Sequence, residues 1–251
     1  MPFDLEYVRQ NWPHPVSYFA TIDSTMLEAS RLAVAGCEAG TVVVADEQTA
    51  GQGRHGRHWY SEPNAGLYVS IVLRPAVRTD SLPVLTLALG LATADAIAEA
   101  SGITCDLRWP NDVMIEGKKV AGILVQLADT AAIAGIGVNV NHTGFPAEIA
   151  AEATSLRIVS SRAQSREQLL VTLLGAVDRY CGVFEGHAGR DMILRLFSRR
   201  SSYARDKRVR VEQGMSTLEG TTAGLDPSGF LIIRGDDGRE RVVVAGGVRE
   251  R

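Results

Sequence analysis

The sequence predicts an α+β protein, with a mixed or mostly antiparallel sheet flanked by helices and a small SH3-like β-barrel at the C-terminus. Alternating apolar residues predict strands, for example at 67–73 and 134–140, and these lie among longer segments with helical capping signals. Past Lys207 the pattern changes to short strands separated by turns rich in aspartate and glycine. We therefore expect two domains, residues 1–204 and residues 205–251.

The elements of the first half follow from alternation and from start and stop signals. Thr25 and Glu28 have the spacing of a capping box, which predicts the start of a helix. Pro83, just after Ser81, predicts the start of a long helix that is apolar nearly all round and is therefore buried against the sheet. The predicted order is strand 16–22, helix 26–35 ended by Gly36, strand 41–45, strand 67–73 and helix 83–100 ended by Gly102.

The second half is predicted in the same way. A strand at 103–107 precedes a hairpin whose turn is Glu116-Gly117, and a second capping box at Ser165 predicts a helix to about Phe184. Strand 134–140 has one apolar face, while its other face is small and polar and leaves room for a ligand or for the backbone of another chain. A further helix covers 191–198.

The hairpin brings a carboxylate and an ammonium to one face of the sheet. A two-residue turn places Met114 opposite Lys119, with Asp112 diagonal to Lys119. Diagonal neighbours are roughly 7–8 Å apart, so the two charges would flank one spot without forming a closed ion pair. The alternative is an ordinary hairpin whose Lys118 and Lys119 lie in solvent.

Composition limits the function classes. A net charge of −3 and a pI near 6.0 argue against a dedicated nucleic-acid-binding protein. Three scattered cysteines indicate neither a disulfide framework nor a zinc site, so we expect no protein-bound metal. The first 15 residues lack the pattern of a secretory signal, and the apolar run 82–94 stops at Asp95, too short to span a bilayer. We therefore expect a cytoplasmic protein with no membrane partner.

A loop rich in glycine and arginine, residues 48–59, follows strand 41–45. Its three glycines allow close approach of the backbone to a ligand, and its arginines suit phosphate or carboxylate. The loop contains the Gly-x-Gly-x-x-Gly pattern, but another strand follows and no helix starts there, so the dinucleotide-binding interpretation fails. We expect a cationic flap over an anionic ligand, and a solvated hairpin loop is the alternative.

Ser24 and Thr25 form a polar corner between strand 16–22 and helix 26–35. Their hydroxyls could face a small polar ligand, or they could cap the helix, and both interpretations can hold with one residue each. A basic cluster lies between the helical part and the C-terminal strands, where it suits helix ends or an acidic partner domain. Its members are Arg199, Arg200, Arg205, Lys207, Arg208 and Arg210.

Three stretches occur in a specific order: Gln48-Thr49-Ala50-Gly51-Gln52-Gly53-Arg54-His55-Gly56-Arg57, then Arg108-Trp109-Pro110-Asn111-Asp112 with Lys119-Val120-Ala121-Gly122, then Gly135-Ile136-Gly137-Val138-Asn139. This combination resembles the biotin protein ligases, over nearly the whole chain. The resemblance implies a class II synthetase-like catalytic domain that forms biotinyl-5′-AMP from biotin and ATP and passes biotin to a lysine of a carrier domain. It also implies Mg²⁺, to which no residue is assigned.

The resemblance assigns roles to particular residues. Arg54, Lys119 and Asp112 would be catalytic, with the two cations acting on developing charge and Asp112 orienting or deprotonating the acceptor lysine. Trp59 would cover the adenine. Biotin would contact Ser24, Thr25, Gln48, Gly51, Gln52, Gly53, Lys119 and Gly122. The nucleotide would contact Arg54, Arg57, Trp59, Asn111, Lys119 and Asn139.

Departures from the family pattern concern ligand affinity more than the reaction. Gln52 stands where the family has an arginine, Met26 where it has an asparagine, and Arg108 where it has a lysine. Only about 15 residues precede the first strand, so we expect an enzyme without the winged-helix DNA-binding domain of longer relatives. A homodimer through the glycine and asparagine face of 135–141 is left open.

Two rival functions remain at this stage. A lipoate or octanoate ligase or transferase would use a related fold, but the polar corner at Ser24, Thr25 and Gln48 suits the uncharged ureido ring of biotin better. A non-catalytic biotin or nucleotide sensor is the second rival, and the presence of both Asp112 and Lys119 argues against it.

Overall fold

A computed structural model of the chain describes residues 3–75, 79–213 and 216–250. The helices are α1 Leu5–Asn11, α2 Thr25–Val34, α3 Leu82–Ser101, α4 Ala147–Ala150, α5 Leu156–Ser160, α6 Arg166–Glu185 and α7 Gly189–Arg200. The strands are β1 Val16–Phe19, β2 Val42–Ala45, β3 Gly66–Leu73, β4 Asp106–Arg108, β5 Asp112–Ile115, β6 Lys118–Ala128, β7 Ala131–Asn139, β8 Arg205–Gln213, β9 Ser216–Leu225, β10 Leu231–Arg234, β11 Glu240–Val243 and β12 Gly247–Glu250. The short helices α1, α4 and α5 were not predicted.

The large sheet has seven strands in the order β1-β2-β3-β7-β6-β5-β4. β1 and β2 are parallel, and the remaining pairs are antiparallel, so the predicted mixed sheet is confirmed. The hairpin register is also as predicted, with Met114 opposite Lys119. A register shift between Val113 and Met114 leaves one extra residue in β6 at that point, which marks a β-bulge.

Helices cover both faces of this sheet. α3 packs against α6, and together they bury the main apolar core, to which Leu67, Val69 and Ile71 of β3 contribute. α2 packs against the opposite face around Met26 and leaves the neighbouring part of that face to the candidate site. The sheet is thus sealed on one side and partly open on the other.

The long helix α3 covers the predicted range 83–100 and extends one residue beyond it at each end. It continues through Asp95, whose carboxylate accepts a hydrogen bond from Tyr180 Oη at 2.7 Å and pairs with Arg200. α3 therefore has the length and hydropathy of a membrane span, although 67% of that window is buried inside the protein. Core helices of globular domains meet the same criteria, so this finding does not indicate a membrane protein.

Helix ends test the capping predictions. Ser24, not Thr25, precedes α2 as its N-cap, its hydroxyl makes no capping bond, and Glu28 pairs with Arg31; the first capping box is therefore wrong. The second start signal is confirmed, because the hydroxyl of Ser165 accepts a hydrogen bond from the backbone of Gln168 at 3.1 Å. Gly102 ends α3 in a left-handed conformation, as predicted.

The C-terminal residues form a five-stranded antiparallel sheet in the order β11-β10-β9-β8-β12. It is joined to the large sheet by Trp109, whose Nε1 donates to the carbonyl of Gly229 at 2.9 Å. The predicted basic cluster is largely neutralised by ion pairs, which leaves little net charge there for an acidic partner. These pairs are Arg200–Asp95, Lys207–Glu250, Arg208–Asp236 and Arg210–Glu219.

Candidate active site

Two adjoining chambers lie on the open face of the large sheet. The outer chamber has a volume of about 230 Å³ and the inner one about 50 Å³. Five residues line both of them: Gly53, Arg54, Trp59, Asn111 and Lys119. Four of these five were predicted to contact a nucleotide, so the predicted residues meet at the junction between the chambers.

Glycines form the floor of the inner chamber. A Cβ at Gly137 would lie 2.4 Å from the ring of Trp59, and one at Gly122 would lie 2.9 Å from it, so the indole rests directly on β6 and β7. A Cβ at Gly135 would lie 2.5 Å from the sulfur of Met26. β7 is a central strand and therefore offers no sheet edge to a second copy. Its glycine face is covered by the side chains of Met26 and Trp59.

Thr25 and Gln48 of the polar corner are hydrogen-bonded to each other and to neighbouring serines. Gln48 Oε1 accepts from the backbone and the hydroxyl of Thr25, at 2.9 and 3.0 Å, and Gln48 Nε2 donates to Ser61 at 3.1 Å. The hydroxyl of Ser70 donates to that of Thr25 at 2.9 Å. Ser24 differs from these residues, because it is fully buried, lines neither chamber, and has a hydroxyl with no hydrogen-bond partner among the described residues. A buried hydroxyl without a partner is destabilising, and a ligand can satisfy it only where the inner chamber widens to reach it.

The glycine loop is closed by its own backbone. Trp59 N donates to Gly51 O at 2.9 Å, and Gly53 N donates to Arg57 O at 2.7 Å. Between them a 3₁₀ turn at Arg54–Gly56 carries the Arg54 guanidinium towards Asn111, to whose Oδ1 it donates at 3.3 Å. Burial lowers the pKa of Arg54, and the charge of Asp112 opposes that shift. Arg57 is exposed at the rim of the outer chamber, and Gln52 lines the inner chamber.

Asp112 and Lys119 form a closed ion pair, which corrects the predicted separation of roughly 7–8 Å. Lys119 Nζ lies 2.5 Å from Asp112 Oδ1, because the β-bulge between them changes the diagonal geometry of a regular ladder. Arg108 also pairs with this carboxylate, with Nη2 at 2.8 Å and Nε at 3.2 Å from Oδ2. The carboxylate is therefore shared between two cations.

The two cations decide the ionisation of Asp112. Burial alone would raise the pKa of this carboxyl, but the charges of Lys119 and Arg108 outweigh burial and hold it below its usual range. Asp112 is therefore an ionised hydrogen-bond acceptor at neutral pH and a weak base. Within the described ranges no group of three or more His, Cys, Asp or Glu side chains could hold a metal ion.

The backbone of Lys119 is hydrogen-bonded to the segment that follows α4. Its backbone N–H donates to Glu152 O at 2.7 Å, and its carbonyl accepts from Thr154 N at 3.0 Å. Asn139, predicted to contact the nucleotide, donates from Nδ2 to Thr154 O at 3.0 Å while it also lines the outer chamber. Asn139 thus fixes the backbone around Lys119 in addition to facing the chamber.

Several residues of the outer chamber were missed by the sequence analysis. Tyr60, Phe145 and Ile149 give it an apolar side, and residues 246–249 of the C-terminal sheet form part of its wall. Arg249 forms an ion pair with Glu152, on the same segment that holds Lys119. No local pattern marks these residues, because they reach the site through loops and through contact between the two sheets.

Comparison with known protein families agrees with this geometry. Residues 18–141 match the biotin/lipoate A/B protein ligase family, and residues 206–248 match the biotin protein ligase C-terminal domain. A biotin–[acetyl-CoA-carboxylase] ligase of Paracoccus denitrificans is 32% identical over 237 residues, which cover 90% of this chain and 97% of that protein. The chain belongs to the biotin protein ligase family.

Two further matches place this ligase among its relatives. The bifunctional ligase/repressor BirA of Bacillus subtilis is 33% identical over 235 residues, which cover 91% of the chain and 72% of that protein. The structure of biotin protein ligase from Aquifex aeolicus in complex with biotin and ATP matches with a TM-score of 0.83 and 30% identity. That match covers 94% of this chain and 98% of the other.

Proposed function

We propose that this enzyme activates biotin with ATP and then transfers it to a lysine of a biotin carboxyl carrier domain. The observation that carries this proposal is the junction of two chambers at Arg54, Asn111 and Lys119. A reaction between two substrates needs their reacting atoms side by side, and fixed cations at that point reduce the repulsion between carboxylate and phosphate.

In the first half-reaction, one oxygen of the biotin carboxylate attacks the α-phosphorus of ATP. The new P–O bond forms as the bond to the β-phosphate oxygen breaks, and pyrophosphate leaves. Arg54 and Lys119 are assigned to the charge that develops there, since both line the two chambers and both carry fixed positive charge.

Biotin is assigned to the inner chamber. Its present volume of about 50 Å³ is below the range of roughly 300–1,000 Å³ usual for ligand sites, so binding must widen it. Ser24, Thr25 and Gln48 supply neutral partners for the uncharged ureido ring, and the unpaired hydroxyl of Ser24 favours biotin over lipoate, which has no such polar ring. The remaining proposed contacts are Gly51, Gln52, Gly53, Lys119 and Gly122.

The nucleotide is assigned to the outer chamber. Arg54, Arg57, Asn111 and Lys119 are proposed to hold its phosphates and ribose, while Trp59 and Asn139 are proposed to contact the adenine. The apolar side formed by Tyr60, Phe145 and Ile149 suits the base, because it lies on the chamber wall away from the inner glycine floor.

In the second half-reaction, a neutral lysine amine of the carrier attacks the carbonyl carbon of the adenylate. The acceptor ammonium first loses one proton to solvent; the C–N bond then forms, the anhydride C–O bond breaks, AMP leaves, and the second proton of the amine passes to solvent. Asp112 is proposed to orient the incoming ammonium and not to deprotonate it, because its pKa lies below the usual range and it is a weak base.

Mg²⁺ and the partners are proposed on chemical grounds. The carboxylate of Asp112, in the outer chamber, is held by two cations, so these residues do not form a protein cage for Mg²⁺. Mg²⁺ commonly binds through substrate phosphates and waters with few protein ligands, so no step is assigned to it here. A cytoplasmic location, and no nucleic-acid or membrane partner, remain proposals based on the net charge of −3 and the sequence pattern.

The test is pyrophosphate release with ATP and either biotin or lipoate as the acid. We expect release with biotin only, and labelling of a carrier-domain lysine afterwards. Lys119→Ala should lower the rate by on the order of 10²–10³, the usual cost of removing a fixed donor from developing charge. Lys118→Ala, next to it and exposed, should keep the wild-type rate. Release with lipoate alone, or none with either acid, would overturn the proposal.

A further inference from the structure

The two cations that pair with Asp112 are not equivalent. Arg108 engages Oδ2 through two nitrogens, whereas Lys119 engages Oδ1 through one. The side chain of Lys119 is 28% exposed, against 16% for Arg108 and 14% for Asp112. Lys119 also lines both chambers, while Arg108 and Asp112 line the outer one only. Lys119 is therefore the partner that is placed to leave the carboxylate.

Strand geometry fixes the other partner. Arg108 and Asp112 are directly opposite each other in the β4–β5 pair, so backbone pairing holds the guanidinium fork against Oδ2. A planar guanidinium whose Nε and Nη2 both donate to one oxygen is held more rigidly than an ammonium on a flexible stem. Lys119 lies beside the β-bulge in β6, at the end of such a stem.

The net formal charge of Arg108, Asp112 and Lys119 has a direct consequence for catalysis. A carboxylate paired with Lys119 alone would neutralise it, and the cation needed at the junction would be held away from the substrates. With Arg108 present, the three groups carry a formal charge of +1, so an anionic substrate can take the ammonium while Asp112 keeps a counter-ion. Breaking a buried pair with no replacement would leave an uncompensated charge, which is strongly destabilising.

We propose that Arg108 is a positioning residue that retains the Asp112 carboxylate while the Lys119 ammonium moves from Oδ1 to the biotin carboxylate and the α-phosphate. This inference rests on the proposed ligase function and adds a residue to it. The move also vacates Oδ1 just before the second half-reaction, and that oxygen then faces the ammonium of the acceptor lysine. One carboxylate thus serves both half-reactions in turn.

A double-mutant cycle on pyrophosphate release tests the proposal. Arg108→Gln should lower kcat/KM by about tenfold or more, since Lys119 is then retained by Asp112. Adding Asp112→Asn should restore adenylation to within about threefold of wild type, because no carboxylate is left to hold the lysine. Both Asp112→Asn proteins should remain slow in biotin transfer from preformed biotinyl-5′-AMP to a carrier domain.

Controls separate this role from folding and from direct contact. Arg234→Gln, which removes an exposed arginine from an ion pair with Glu240, should match wild type. In the Asp112→Asn background, Arg108→Gln should have no further effect on adenylation, and this comparison holds even if the single Arg108→Gln protein does not fold. A further loss of adenylation in the Asp112→Asn background, or an Arg108→Gln enzyme as fast as wild type, would overturn this inference and leave the proposed function standing. A wild-type protein that releases no pyrophosphate would overturn the proposed function and this inference with it.

Discussion

At the scale of single residues, the hydrogen bonds around Ser24 decide between the two roles that the sequence allows. The sequence left two roles open for its hydroxyl, a helix cap or a ligand contact. The structure excludes the first, because the residue is the N-cap of α2 but its hydroxyl makes no capping bond. What remains is a fully buried hydroxyl for which residues 3–75, 79–213 and 216–250 supply no hydrogen-bond partner.

Ser24→Ala is therefore expected to weaken biotin binding without weakening the fold. The dissociation constant should rise about tenfold, the equivalent of one hydrogen bond of about 1.4 kcal/mol, while the melting temperature stays unchanged. Ser155→Ala is the matched control, since Ser155 is also a fully buried N-cap but accepts from Ile158 N at 3.0 Å and donates to His142 O at 2.7 Å. That variant should lose about 1 kcal/mol of stability. Calorimetric titration and thermal melts measure both, and unchanged biotin affinity in Ser24→Ala would count against the assigned corner.

The residues at the junction could be named from sequence, but their contacts could not. Lys119 and Asp112 were expected to share a face, which they do. Their ion pair was missed because one extra residue in β6 shifts the register, and the pattern around the Glu116-Gly117 turn carries no sign of that bulge. Arg108 was noted only as a departure from the family, since an arginine fork needs coordinates to be seen.

At the scale of elements, the glycine loop and the glycine floor depend on each other. The indole of Trp59 lies against β6 and β7 because two floor positions, Gly122 and Gly137, lack side chains. Its Nε1 is buried and has no hydrogen-bond partner in the part of the chain that the structure describes, and the ammonium of Lys119 lies 5.2 Å from the ring centroid. The loop is thus seated on the sheet by shape and by a cation–π contact.

Gly137→Ala tests the packing of the Trp59 indole on the sheet, because the added methyl would lie 2.4 Å from the ring. We expect the loop to be displaced, the tryptophan emission to shift to longer wavelength, and the dissociation constant for biotin to rise about tenfold or more. Gly182→Ala is the control, since nothing lies within 4 Å of a Cβ there and helix α6 should tolerate or prefer alanine. Wild-type emission and affinity in Gly137→Ala would contradict the described contact.

Elements were predictable where a pattern repeats. The strands at 67–73 and 134–140 show apolar alternation, and the structure contains β3 and β7 there. The first capping box failed because Glu28 has a better partner in Arg31 on the next turn, at 2.5 Å. α1, α4 and α5 are too short to produce a readable period and depend on packing.

At the scale of the whole molecule, His142 links separate parts of the chain. It is fully buried after β7, its Nε2 lies 3.2 Å from the hydroxyl of Tyr68 on β3, and its ring stacks on Phe145 with centroids 5.1 Å apart. Burial lowers the pKa of His142 to about 4. The imidazole is therefore neutral in the folded protein, whereas an unfolded histidine takes up a proton below about pH 6.5.

The sign of the pH effect follows from this difference. Below about pH 6.5 the unfolded chain binds one proton more than the folded chain. Lowering the pH should therefore reduce the free energy of unfolding, down to about pH 4. When the pH is lowered from about 7.5 to about 5, His142 should reduce the free energy of unfolding by about 2 kcal/mol. His142→Gln cannot titrate and should lose less stability over that interval, whereas substitution of the exposed His187 by glutamine should keep the wild-type slope. Urea unfolding at the two pH values measures this, and equal slopes for His142→Gln and wild type would contradict it.

The shared outer chamber makes the two sheets one catalytic unit. Residues 246–249 complete its wall, and Trp109 reaches Gly229 across the boundary near residue 205. A gene split at that boundary would therefore encode two fragments, of which neither contains the whole of the proposed nucleotide site. Brought together by fused interaction partners, such fragments would turn protein proximity into a covalent biotin tag. The small sheet, which carries none of the predicted catalytic residues, would then act as the switch of a conditional labelling reagent.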